Sequence, residues 1–249
     1  MHITEHIYLV GSGSKWGFGI SHPIDCNVYL IDSGAGLVLI DSGVGINTER
    51  IYANIRAHGF ELRDIKALLL THYHGDHACG AGIIHAKTGC AVYAPKDEAR
   101  AIETGDEQAT SLAGAKGTLY PKDFVYPNCP GVIGLEHGQA VTVGDITLRT
   151  FHVPGHSLCD AVYLSEIDGK QCLFSGDAVF AHGQVLIQSL YDVNVHAYSQ
   201  AMQRLAEQEI DALFPGHGVF TLEDGASHVK LCAQKFASGL VPQQLYYFT

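Results

Sequence analysis

Four times along this 249-residue chain an apolar stretch stops and histidine or aspartate follows at once: LLLTHYHGDH, FHVPGH, LFSGD and LFPGH. The side chains delivered this way are His72, His74, Asp76, His77, His156, Asp177 and His217. Neutral imidazole mixed with carboxylate is a ligand set for zinc, manganese or iron, and no thiolate is needed. Histidine is in excess, with 15 residues against 15 lysines and arginines together, which itself asks for a metal or a proton-transfer role. Residues two apart in an extended segment point the same way, so His72 and His74 can hold one ion. Gly75 permits the sharp turn that lets Asp76 and His77 face a second position. The expected division is His72, His74 and His156 on one ion and Asp76, His77 and His217 on the other, with the carboxylate of Asp177 bridging. Two such ions can share a hydroxide, because a metal lowers the pKa of bound water from about 15.7 to about 7. That hydroxide is the expected nucleophile, and Asp76 the group that accepts and relays its proton.

These ligands converge only if the strands that end in them share one edge of a sheet assembly. The pattern predicts strands at ITEHIYLV, NVYLID and GLVLID, the last two joined by the hairpin turn Ser33-Gly34-Ala35-Gly36. A helix is predicted over about 47–58, capped by Asn47 or Thr48 and stopped by Gly59. The run IKALLL reads as a buried strand leading into THYHGDH, followed by a helical stretch to Lys87 and the strand AVYAP. Residues from about 96 to 130 are polar and alanine-rich, and read as a partly helical insertion. Strand patterns return at VIGLEH, AVTV, ITLRTFHV, AVYLSEI and QCLFS, antiparallel in style, then a helix near 195–208, the strand DALF and a helix near 221–236. Each half thus runs strands, helix, strand. The expectation is an α+β chain of one unit over 1–249, built as a four-layer αβ/βα sandwich with the metal site at one edge of its two sheets.

Composition narrows the function. Acidic residues number 26 against 15 basic ones, a net charge of −11, which argues against a nucleic-acid partner that would need a basic face. No apolar run reaches the ~18 residues of a membrane span. The N-terminus lacks the features of a signal peptide, and the cysteines at 26, 79, 90, 129, 159, 172 and 232 form no CxxC pair. Reduced, buried thiols in a cytoplasmic protein are expected.

His72-Tyr73-His74-Gly75-Asp76-His77 resembles the HxHxDH signature of the metallo-β-lactamase superfamily. The resemblance continues through PGHS at 154–157, SGD at 175–177 and PGHG at 215–218, in the family's order and across most of the chain. It implies the metallo-β-lactamase sandwich and two divalent ions, zinc first, with manganese or iron as alternatives. Asp41 in LIDSG resembles the family's supporting aspartate behind the metal loop. Asp177 points away from the true β-lactamases and towards the glyoxalase II, lactonase and phosphodiesterase branches. The segment after His217 carries Lys230 and Lys235 as its only basic residues, which places glutathione thioesters second. Length, the insertion and VPGHSLCDAVYL are similar to lactonase-like members, so the resemblance implies opening of a small lactone or carboxylic ester. The alternatives are a thioester hydrolase of glyoxalase II type, a mononuclear iron oxidoreductase of persulfide-dioxygenase type, and a binding protein that has lost catalysis.

Substrate contacts are expected from two loops and from the motif itself. The glycine-rich loop 11–26 offers Trp16 and His22 as parts of a flap, with a plain surface turn as the alternative. Segment 180–198 offers His182, Gln188 and Tyr191, and Tyr73 inside the motif is a further candidate. Segment 96–130 is expected to serve as a lid over a small-molecule site or as a homodimer contact.

Overall fold

The computed structural model describes residues 1–246; the expected unit of 1–249 therefore includes three residues outside the described ones. Period-two alternation decides the architecture. Strands β1 (Ile7–Gly11), β2 (Val28–Asp32), β3 (Leu37–Ile40), β4 (Ile65–Leu69), β5 (Ala91–Pro95) and β6 (Ile133–Leu135) form a six-stranded sheet in that order. Strands β7 (Ala140–Val143), β8 (Ile146–His152), β9 (Ala161–Ile167), β10 (Lys170–Gly176) and β11 (Ala212–Pro215) form a second sheet in reverse order, β11 at one end and β7 at the other. Along β2, Tyr29 and Ile31 turn inward to meet Phe174 and Phe214 of the second sheet, while Val28 and Leu30 turn outward. Tyr29 packs edge-on to both phenylalanines, at 5.6 and 5.5 Å between ring centroids.

Helices cover both outer faces. On the first sheet, Ile51 and Ile55 of α1 (Thr48–Ala57), Ile84 of α3 (Ala81–Thr88) and Ile102 of α4 (Lys96–Thr104) close one apolar layer. On the second, Tyr198 and Met202 of α6 (Val195–Leu205) and Val229 and Phe236 of α7 (Gly225–Ala237) close another. Strands buried on both faces read as near-continuous apolar runs, which is why IKALLL shows no alternation. Each fully buried leucine, isoleucine or phenylalanine contributes roughly 1.5–3 kcal/mol. The result is the αβ/βα sandwich.

Several expectations need correction. Strand β6, expected to be antiparallel, pairs in parallel with β5 and so belongs to the first sheet, and β11 pairs in parallel with β10. Pairing partners are set by where the connecting segments cross, which local patterning does not encode. The stretch to Lys87 is two helices, α2 (Gly75–Ala78) and α3, because the chain turns at Cys79-Gly80, where Gly80 lies against Ser42. The last helix starts at Gly225 after Asp224, which takes a left-handed conformation (φ 57°). The insertion holds only α4 and the single turn α5 (Leu112–Ala115). All seven cysteines are buried and free. Among the described residues no helix is long and apolar enough to cross a membrane.

Candidate metal centre

The four strand ends meet at one edge. β4 ends just before His72, and β8, β10 and β11 end just before His156, Asp177 and His217. The buried donors include His72, His74 and His156 in one group and Asp76, His77 and His217 in another, with a further group of His72, His77 and Asp177 linking the two. Within the first, His74 Nδ1 lies 3.1 Å from His156 Nε2. Within the second, His77 Nε2 lies 3.2 Å from His217 Nε2, which stands 3.2 Å from Asp76 Oδ2. Asp177 sits between them, with Oδ1 3.3 Å from His77 Nε2 and Oδ2 3.5 Å from both His156 Nε2 and His217 Nε2. Gly216 makes the approach of the last strand end feasible, since a Cβ there would stand 2.5 Å from Asp177 Oδ1 and 2.6 Å from His77 Cε1.

The outer hydrogen bonds fit a bound cation. His77 Nδ1 pairs with Asp41 Oδ2 at 2.8 Å, and His156 Nδ1 donates to the Leu186 carbonyl at 2.6 Å. Each imidazole therefore turns an Nε2 lone pair inward, which is what a metal takes. His72 Nε2 and Asp177 Oδ1 are buried with no hydrogen-bond partner, which is costly unless a ligand satisfies them. Burial pushes the Asp76 carboxyl upward, yet His77 and His217 pull it down to about 2. Burial lowers His77, but the carboxylates of Asp177, Asp41 and Asp76 raise it well above the usual imidazole range. These carboxylates favour a positive charge at His77, which a bound cation would supply in place of a proton. Cys26 also lies within reach of Asp41 and His77, but burial pushes its thiol up to about 12, so it packs as a neutral group.

Buried residues that motif reasoning leaves out hold this constellation in place. Glu98 of α4, 0% exposed, accepts the Tyr73 N–H on Oε2 at 2.8 Å, and the Ser157 hydroxyl and Cys159 N–H on Oε1 at 2.7 and 2.8 Å. It thereby ties the loop of His72 and His74 to the loop of His156. Asp192 accepts the Tyr73 hydroxyl at 2.6 Å and lies 3.5 Å from His74 Nε2. Asp160 takes the Ser157 N–H at 2.7 Å and stands 3.9 Å from His72 Nδ1. Tyr120 donates to Asp76 Oδ1 at 3.0 Å, and Tyr126 donates to the Tyr73 carbonyl at 3.0 Å. Glu98, Tyr120 and Tyr126 all come from the insertion, and nothing local in their sequence distinguishes them.

Of the residues expected to touch substrate, Trp16 and Gln188 line the cavity that opens beside His74, Asp76, Asp177 and His217. Trp16 stands edge-on to His217, 5.4 Å between ring centroids. Tyr73 is buried with its hydroxyl spent on Asp192, behind the ligands. His22 faces a neighbouring depression with Ile46 and Lys122. His182, left-handed at φ 62°, donates its N–H to His228 Nδ1 of α7. Tyr191 is 69% exposed and donates to the Ala109 carbonyl at 2.6 Å, joining the loop after β10 to the insertion. Segment 96–130 supplies much of the cavity wall, from Thr110 to Tyr120.

Comparison with known proteins bears on the family and the fold. The chain is 27% identical over 221 residues to the atrochrysone carboxyl ACP thioesterase of Aspergillus chevalieri, covering 87% of this chain and 58% of that one. It is 30% identical over 198 residues to the beta-lactamase-like protein 2 homolog of Drosophila melanogaster, covering 77% of this chain and 58% of that one. The chain thus spans little more than half the length of these relatives. Among solved structures it superposes on BJP-1, a subclass B3 metallo-beta-lactamase of Bradyrhizobium japonicum, with a TM-score of 0.74 at 24% identity, covering 96% of this chain and 90% of that one. At that identity the likeness concerns the fold. A family model described as the metallo-beta-lactamase superfamily matches residues 23–217, the span that contains every candidate ligand. The chain belongs to the metallo-beta-lactamase superfamily.

Proposed function

We propose that this chain is a dinuclear metal-dependent hydrolase that opens a small lactone or carboxylic ester. The observation that carries the reading is the pair of buried three-residue groups with Asp177 between them. Superfamily members are metal-dependent hydrolases, and the donor set is complete for two ions, zinc first, with manganese or iron as alternatives. His72, His74 and His156 would hold one ion, Asp76, His77 and His217 the other, and Asp177 would be shared. When bound, such a pair lowers the pKa of water towards about 7 and polarises an acyl carbonyl.

The chain's own residues divide the remaining work. Tyr120 holds Asp76 Oδ1, which leaves Oδ2 beside His217 to accept a proton from water and pass it on. Asp41 holds His77 in the tautomer with Nε2 inward. Trp16 and Gln188 border the cavity in which the acyl group is oriented. Acyl thioesters are the second reading, favoured by the relative that is named as an ACP thioesterase.

The test is metal identity and stoichiometry in protein purified without added metal or chelator, followed by a panel of lactones, esters and thioesters. About two zinc or manganese ions per chain with turnover on that panel is expected. A single iron per chain, with oxygen consumption on persulfides and no hydrolysis, overturns the proposal.

A further inference from the structure

The cavity beside the ligand cluster encloses about 230 Å³, small against the roughly 300–1,000 Å³ of drug-sized ligand pockets. Its wall away from the ligands is led by Leu112, Ala115 and Leu119 of the insertion and by Leu186 and Leu190 of the loop after β10, and the rest of that lining, Thr110, Thr118, Gln188 and Ser189 included, is neutral. Among the described residues lining it none is lysine or arginine, and its carboxylates, Asp76 and Asp177, both belong to the ligand cluster. Lys15 is exposed and lies on the indole of Trp16, 4.5 Å from the ring centroid, outside the lining. Ser111 stands out on the same wall. It is 9% exposed, its hydroxyl has no hydrogen-bond partner, and its backbone is left-handed at φ 60°. A non-glycine residue held there costs roughly 1–3 kcal/mol and is characteristic of ligand sites.

We infer, on the reading that this centre hydrolyses an acyl bond, that the pocket receives an uncharged, mainly apolar acyl group with Ser111 as its hydrogen-bonding contact, and discriminates against acyl groups that carry a carboxylate. An alkyl chain entering this wall loses water to leucine side chains at a gain. A carboxylate entering it loses water and meets only neutral groups once the reacting carbonyl lies at the ligand cluster. Discrimination of at least about tenfold follows. The same absence of a cation disfavours β-lactams and glutathione thioesters, which bring carboxylates of their own.

The single tryptophan of the chain lines this pocket, so its fluorescence reports occupancy without turnover. The experiment titrates metal-loaded protein with hexanamide and with adipic acid monoamide, which differ by a terminal carboxylate. Hexanamide should bind at least about tenfold more tightly. Gln188→Arg, at a half-buried lining position, should narrow or reverse that preference. Ser111→Ala should weaken hexanamide several-fold, as should Ser111→Gly, even though glycine relieves the backbone strain and raises the unfolding midpoint. Equal or tighter binding of the carboxylated probe, or no response to either, overturns the inference; unchanged affinity in both Ser111 variants removes Ser111 from it. If hexanamide binds as expected while no lactone, ester or thioester is hydrolysed, the hydrolase reading falls and the pocket assignment stands.

Discussion

Replacing Glu98 by alanine removes the acceptor for three donors drawn from the two loops that carry His72, His74 and His156. The Ser157 hydroxyl can rotate to another acceptor, but the N–H groups of Tyr73 and Cys159 are fixed in buried backbone. Leaving a buried donor unsatisfied costs about 1–3 kcal/mol, so the two amides together cost about 2–6 kcal/mol. Part of this is offset, because burial and the neighbouring Asp160 push the Glu98 carboxyl up to about 8 and its removal relieves that burden. A net loss of roughly 2–4 kcal/mol is expected, well inside a stability of about 5–15 kcal/mol, so the variant should still fold. Urea unfolding of metal-stripped protein isolates this effect from metal binding. Glu98→Gln keeps the shape but places an amide N–H2 against an N–H, and should fall between wild type and Glu98→Ala. On the proposed two-ion reading, metal retained after gel filtration should drop from about two ions per chain towards about one. If Glu98→Ala unfolds within about 0.5 kcal/mol of wild type and keeps both ions, Glu98 does not position this centre.

Asp177→Asn should lower both metal occupancy and turnover while leaving far-UV circular dichroism unchanged; undiminished turnover would exclude a shared ligand at this position. Asp192→Asn takes the carboxylate from His74 and Tyr73 and should weaken metal binding by about 10–100-fold in competition with a chelator. Gly216→Ala drives a methyl into Asp177 and His77, and should cost about 1–3 kcal/mol in unfolding but about a hundredfold in kcat, the second loss exceeding what the first explains. Far from the centre, the hydrogen bond to Asp168 raises the pKa of His6 above its ordinary value of 6.5, against the opposing effect of burial. A raised folded value means the contact stabilises fully below pH 6.5 and is lost as pH rises through the folded pKa. In NMR titration, Asp168→Asn should return His6 to about 6.5; an unmoved midpoint would show that Asp168 is not the cause.

Strand periodicity and punctuation were legible wherever local chemistry decides the conformation. The turn Ser33–Gly36 closes as its residue types require, with Ser33 N–H donating to the Gly36 carbonyl at 3.0 Å, and α1 ends before Gly59, which is left-handed at φ 86°. Beyond α4 the insertion was not legible, since its conformation rests on ties between side chains and backbone within it, such as Lys116 with Glu107 at 2.6 Å and the Tyr126 N–H with Glu107 Oε1 at 3.2 Å. The pairing of β6 with β5 depends likewise on how that insertion returns the chain to the first sheet.

By itself, the sequence determined which side chains are candidate donors, because each follows an apolar strand at a spacing that short-range geometry controls. It also determined that imidazole and carboxylate are the donors on offer, with no thiolate needed. Only the tertiary structure decided which residues stand behind and around those ligands. Glu98 lies 25 positions from the Tyr73 it holds, Asp192 lies 119 positions from the same tyrosine, and Tyr120 lies 44 positions from Asp76. The first and third form when the insertion packs on the first sheet and the second only when the second half of the chain packs against it, and a buried carboxylate or hydroxyl finds whichever donor packing brings within about 3 Å. The pocket wall follows the same rule, being assembled from two loops that meet only in the folded chain.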